Sequence, residues 1–264
     1  MLTAARNQIR VLLLSVKYNL MREMTNRVTF FMNVTFMILN NGTFVIWWML
    51  LFTLKENIGG YELKDVMVLW GLAAGTYGLS HIFFQRAYSL PDLIMHGKLD
   101  SFLVQPKNTL LSVISSGTNT SAIGDLLYGY IVLSIFNFSL RNLILFTYFT
   151  IMGALILTAF AVITGSISFW VIRGDMLADS LNSMMINFST YPDGIFKGLV
   201  RLLLYTLVPV GLVVYIPLEV MLHFNMINLL IVTGAAALFI LLAFFTFYRG
   251  LRRYTSSSLM SARM

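Results

Sequence analysis

His81, His96 and His223 are the only histidines of the chain, and they stand in different loops or spans. Each reads as a packed or interfacial imidazole rather than as a member of a catalytic or metal-binding set. The chain has no cysteine, which excludes disulfides, thiolate metal sites and a thiol nucleophile. No G-x-x-x-x-G-K-[ST] loop is present. Gly97-Lys98 lacks the upstream glycine and the following hydroxyl residue, so this chain cannot cradle ATP phosphates by itself. Neither H-E-x-x-H nor G-x-S-x-G occurs. Ion-coupled transport draws on carboxylates buried in mid-span, and three deserve testing against that requirement. Asp125 and Asp179 fall in the first turns of their segments, where a helix N-terminus favours negative charge, and Glu219 follows Pro217 on the outer side. Asp125 is therefore expected at the rim of the third span. No cofactor and no enzymatic activity are expected in this chain.

The elements around these residues are membrane spans. Of the 264 residues, 58% are hydrophobic and 11% are charged, against about a quarter charged in soluble domains. A helix crossing the hydrocarbon core needs about 20 mostly apolar residues. Segments of that kind run at about 29–54, 66–88, 121–140, 143–172 and 227–248. Trp47, Trp48 and Trp70 sit near the turn at residues 55–60, as interfacial aromatics. Residues 175–191 pair an apolar stripe with a polar one that includes Asp179, Asn182 and Asn187. This suits a fifth span with one face on a wet pathway or another subunit; the alternative is a helix lying on the surface. Beyond Pro192, the apolar stretch 195–222 is broken by Pro209, Gly211 and Pro217. Backbone breaks in lipid must be covered by protein or water, so this stretch is expected to dip in and return.

The reading is one all-α integral membrane domain over 1–264, with six transmembrane helices and a broken re-entrant outer hairpin between spans five and six. Residues 1–27 carry Arg6, Arg10, Lys17, Arg22 and Arg27 among Val11 to Leu14 and Val16. They are expected to form an interfacial amphipathic elbow helix; Val11 to Leu14 is too short for a signal-peptide core. Lys and Arg set orientation. With the N-terminus inside, thirteen lie inside (Arg263 among them) and five outside. Both ends are thus expected in the cytoplasm. The net charge of +7 serves the membrane surface, not nucleic acid.

The longest polar connection, 90–117, carries the most pointed pattern. Pro91 can open a short helix, Asp92 adds negative charge to its first turn, Leu93, Ile94 and Met95 supply apolar contacts, and Gly97 can end it. Lys98, Leu99 and Asp100 lead back toward the membrane. This is a short amphipathic helix able to dock on another protein, or an ordinary interfacial loop.

Gly97-Lys98-Leu99-Asp100 with Leu103 and Pro106 resembles the G-x-[LI]-D-x-x-L-x-x-P loop of ABC-2 type transporter permeases. More narrowly it is similar to the bacterial subgroup of stand-alone six-span permeases. Gly124-Asp125-Leu126, the outer stretch Tyr191-Pro192, Val208-Pro209 and Tyr215-Ile216-Pro217, and the terminal Gly250-Leu251-Arg252-Arg253-Tyr254-Thr255-Ser256 follow that subgroup in the same order. The stretch 117–120 departs from it by lacking a basic residue that many members carry.

The resemblance implies the permease subunit of an ATP-driven exporter in the bacterial cytoplasmic membrane, forming half of the translocation pathway. Its partners would be two copies of a separate ABC ATPase, which bind Mg-ATP, a second permease, identical or homologous, and membrane lipids. Pro91, Asp92, Leu93, Ile94, Met95, Gly97, Lys98, Leu99 and Asp100 would form the ATPase-coupling helix and its exit. Asp179, Asn182, Asn187, Pro192, Pro209 and Pro217 would contribute to the pathway and its outer gate. Lipids, peptides and hydrophobic drugs are all compatible as cargo. The competing readings are a membrane scaffold or immunity protein without transport, and a self-sufficient channel or secondary transporter.

Overall fold

The computed structural model describes residues 2–255; Ser256 of the terminal motif and Arg263 lie outside them. Apart from one isolated bridge between Ile58 and Tyr61, the regular structure of the described residues is helical. The order is α1 Leu2–Glu23, α2 Arg27–Leu54, α3 Leu63–Phe84, α4 Leu90–Met95, α5 Asp100–Leu103, α6 Thr109–Ile114, α7 Ala122–Phe136, α8 Leu140–Ser166, α9 Gly174–Phe188, α10 Gly198–Thr206, α11 Ile216–Leu222 and α12 Met226–Leu251.

Among the described residues four helices are long and apolar enough to cross a membrane, and a fifth crossing results if α10 and the Gly211–Leu222 segment are taken as one bent span. They meet at 74°, where Pro209 withholds an N–H and a π-turn occupies Gly211–Tyr215. The expected six crossings, with the bent segment re-entrant, need α7 and α9 beside those four. Each has 15 residues, about 22 Å at 1.5 Å per residue, short of the roughly 30 Å hydrocarbon core.

Lipid offers helices no hydrophobic drive to associate, so close packing and polar contacts hold them together. The seam between α3 and α7 is the tightest example. A Cβ on Gly129 would stand 2.5 Å from the Gly71 carbonyl oxygen, and one on Gly78 would stand 2.6 Å from that of Ala122. Ser80 bonds to Thr158 at 2.8 Å and ties α3 to α8, and the hydroxyls of Tyr148 and Thr233 join α8 to α12. Trp47 is exposed, but Trp48 and Trp70 face inward, 3% and 8% exposed. Trp70 stacks on Phe44 at 4.5 Å and Trp48 lies 6.0 Å from the Tyr191 ring. These two indoles therefore pack the bundle rather than anchoring it at an interface.

The molecule has two distinct ends. At one, Ser15 and Asn19 of α1 donate to the Ser115 carbonyl at 2.9 and 3.2 Å, and the segment after α12 packs against the 90–99 loop. At the other, the turn after α2 meets residues 193–195, and the Arg141 guanidinium lies over the Phe224 ring at 5.5 Å. Both ends of the described chain are thus on the side of the 90–117 loop.

Candidate functional site

The loop after α3 is built into the bundle. Leu90, Leu93, Ile94 and Leu99 are at most 4% exposed and pack with Ala159 and Val162 of α8 and Phe247 of α12. Pro91 stands at the start of α4, and Gly97 ends it at φ +67°, a left-handed turn that costs glycine nothing. The apolar side of α4 therefore faces its own protein, and Leu93 and Ile94 are not available to a partner. What α4 turns outward is Asp92, Met95 and His96, joined by Lys98. Lys98 Nζ reaches Asp92 at 2.8 Å and His96 Nδ1 does so at 2.9 Å. Beyond this charged face the loop tip exposes Leu103, Val104 and Pro106, with Val104 84% exposed.

Asp100 turns back to the terminal motif. Burial, and then the Asp100 carboxylate beside it, push the Tyr254 phenol above its usual range. Tyr254 also sets its ring edge-on to Phe169 at 6.2 Å, and Phe169 meets Phe247 at 5.8 Å. Asp100 and Tyr254, 154 positions apart in sequence, thus belong to one knot. The stretch 117–120 itself carries no basic residue, but the Arg86 side chain packs against Gly117.

At the opposite end a latch forms around Asp193, which is 5% exposed. Its carboxylate accepts from the Tyr61 hydroxyl at 2.7 Å, the Arg201 guanidinium at 2.8 Å and the Tyr205 hydroxyl at 2.9 Å. Burial, then the Asp193 carboxylate, raise the Tyr61 phenol above its ordinary value. Beneath these bonds Gly59, at φ +63°, touches Gly194 so closely that a Cβ on Gly194 would stand 1.8 Å from the Gly59 oxygen. The latch pins the α2–α3 turn to the entry of the bent segment. Pro192, Pro209 and Pro217 are all buried along that segment. Tyr205 covers Gly211, and the Tyr215 hydroxyl donates to the Phe188 carbonyl at 2.7 Å.

On α9 the polar stripe faces away from the bundle. Asp179 and Asn187 are exposed, and only Asn182 turns back, its amide 3.3 Å from the Thr164 hydroxyl. Asp179 and Asn187 therefore do not line an interior pathway of this chain; they present a polar face to whatever stands beside it.

Asp125 lies deeper than its place at the start of α7 implies. It accepts from the Asn41 amide at 2.6 Å, and Asn41 is at the middle of α2. On the other side it meets a cavity that Tyr77 also lines, about 10 Å before the end of α3 by helix rise. The rim position expected from sequence is thus replaced by an interior one, because the 115–121 segment enters the bundle before α7 begins. The Asn40-Asn41 pair in mid-span was the missed signal: polar side chains at that depth are costly and mark function.

Comparison with known proteins agrees with this architecture. A family model described as ABC-2 family transporter protein matches residues 37–258. Neither the curated proteins nor the solved structures contain a match to the chain.

Proposed function

The chain belongs to the ABC-2 family of transporter proteins, and from that premise we propose that it is the permease subunit of an ATP-driven exporter. In this reading it spans the bacterial cytoplasmic membrane with both ends inside. It pairs with an identical or homologous permease, and two ATPase subunits bind beneath. Six crossings follow if α7 and α9 are completed by their flanking turns, with α1 as the elbow at the cytoplasmic surface.

One observation carries the reading. The outward charged face of Asp92, His96 and Lys98 rides on a loop whose apolar side is locked into α8 and α12. A partner that moves this face must move the spans as well. Closure of an ATP-loaded dimer would then act on α4 as on a lever, shifting the bundle between two packed states. The Asp193 latch and the bent α10–α11 segment, at the far end, are the parts that such a shift would open. Asp179 and Asn187 would face the second permease, which completes the pathway.

The sequence is free of cysteine, so a single thiol is a clean probe. With His96→Cys, cross-linking to the co-expressed ATPase is expected, and its yield should change when ATP is added. A Cys placed at Ile144, exposed on α8, should give none. Equal yields at both positions would remove the docking role from α4.

A further inference from the structure

A cavity of about 200 Å³ opens between α2, α3, α7, α8 and α9, apart from both the loop face and the latch. Three polar side chains on its wall, Asn41, Asp125 and Ser189, are each 5% exposed. Asp125 uses one carboxylate oxygen on the Asn41 amide; its other oxygen, Oδ2, is buried and has no hydrogen-bond partner among the described residues. A buried polar atom left this way is uncommon and calls for a partner.

The neighbouring groups define that partner. Ser189 spends its hydroxyl proton on the Met185 carbonyl, and Thr190 spends its own on the Asn187 carbonyl. Both hydroxyls therefore offer only lone pairs to the cavity. The Asn41 amide gives one of its two N–H groups to Asp125, which leaves its carbonyl oxygen as an acceptor beside one remaining N–H. Among the described residues no Lys, Arg or His lines the wall; Asn40 and the Tyr77 phenol add two further polar groups, and the rest is apolar, with Ala73, Ala74, Leu157 and Val213 among the residues. An acceptor-rich pocket with one carboxylate and apolar sides complements a compact donor cation on a hydrocarbon body. A primary ammonium has three donors and no acceptor.

We infer that this cavity binds the ammonium head of a cationic amphiphile, with Asp125 Oδ2 as its anchor and Ser189 and Thr190 as further acceptors. That such a ligand is transported cargo rests on the permease reading; that it binds does not.

The test uses the full chain in nanodiscs of zwitterionic phosphatidylcholine and follows the midpoint of thermal unfolding. Octylammonium is compared with octanol and octanoate, which keep the tail and change the head. Octylammonium is expected to raise the midpoint where the other two do not. Asp125→Asn, which keeps the shape, should weaken octylammonium by about tenfold or more, the scale of one charge-assisted hydrogen bond, and erase its preference. Ala74→Met fills the cavity without touching the acid and should also abolish the stabilisation. Equal shifts from octanol and octylammonium, or a preference that survives either substitution, would overturn the inference. Retention of the ATPase is scored separately. Ammonium binding without a bound ATPase would sink the permease reading alone, and a bound ATPase without ammonium preference would sink only the site.

Discussion

Replacing Asp193 by alanine strips three donors of their acceptor in one step, and the structure ranks what each is worth. The Tyr61 and Tyr205 phenols donate to a carboxylate that is 5% exposed. Hydrogen bonds to a charged partner contribute about 1.5–3 kcal/mol each. The Arg201 side chain is 55% exposed, so its ion pair is screened and contributes no more than about 1 kcal/mol. Because the three share one carboxylate, their effects do not add in full. Asp193→Ala should therefore cost about 3–5 kcal/mol of local stability, Tyr61→Phe about 1.5–3, and Arg201→Gln less than about 1. Native-state hydrogen exchange at residues 57–61 and 193–196 reads this directly, since local opening sets the rate there. Tyr61→Phe should speed exchange by at least about tenfold and Asp193→Ala by more, while Arg201→Gln should stay within about fivefold. If Arg201→Gln loosens the latch as much as Tyr61→Phe, the surface ion pair is what holds it and the reasoning from buried phenols fails.

The two faces of α4 should separate cleanly under mutation: Ile94→Ala should lower unfolding stability by about 2–5 kcal/mol, whereas Lys98→Glu should leave thermal unfolding in mild detergent nearly unchanged. The pH dependence of the latch follows from Tyr61, whose phenol is raised in the folded state. Its contribution is complete below the usual tyrosine value near 10 and is lost as pH climbs above it, so exchange at residues 57–61 should quicken for this reason only in alkali. Gly129→Val should drive a methyl into the Gly71 backbone and cost about 1–3 kcal/mol or more, read as a lower unfolding midpoint.

The all-helical membrane character was legible in the sequence because apolar runs as long as those of α2, α3, α8 and α12 have few other uses. The break at Pro209 to Pro217 was legible for the same kind of reason, since proline removes a donor that lipid cannot replace. Burial direction was less legible. Leu93 and Ile94 look like docking residues in a polar loop, and nothing local says that α8 and α12 cover them. Trp48 and Trp70 sit near a turn, and only the fold shows them turned inward. The Asp193 latch joins residues 132 positions apart, with Tyr61 in a turn and Asp193 in a helix break, so no spacing rule could have paired them. The depth of Asp125 was not legible, because its place at the start of a helix does not reveal that the helix starts inside the bundle. Asn40-Asn41 in mid-span carried the missing clue.

The central claim is that this chain works as the membrane half of a machine driven by another protein. Purification of the tagged chain in mild detergent, after co-expression with an ABC ATPase encoded beside it, tests this most directly. The permease assignment requires the ATPase to stay bound, hydrolysing ATP at a rate that falls with Lys98→Glu while the bundle remains folded. A chain that purifies alone and moves solute across proteoliposomes without ATP would contradict it.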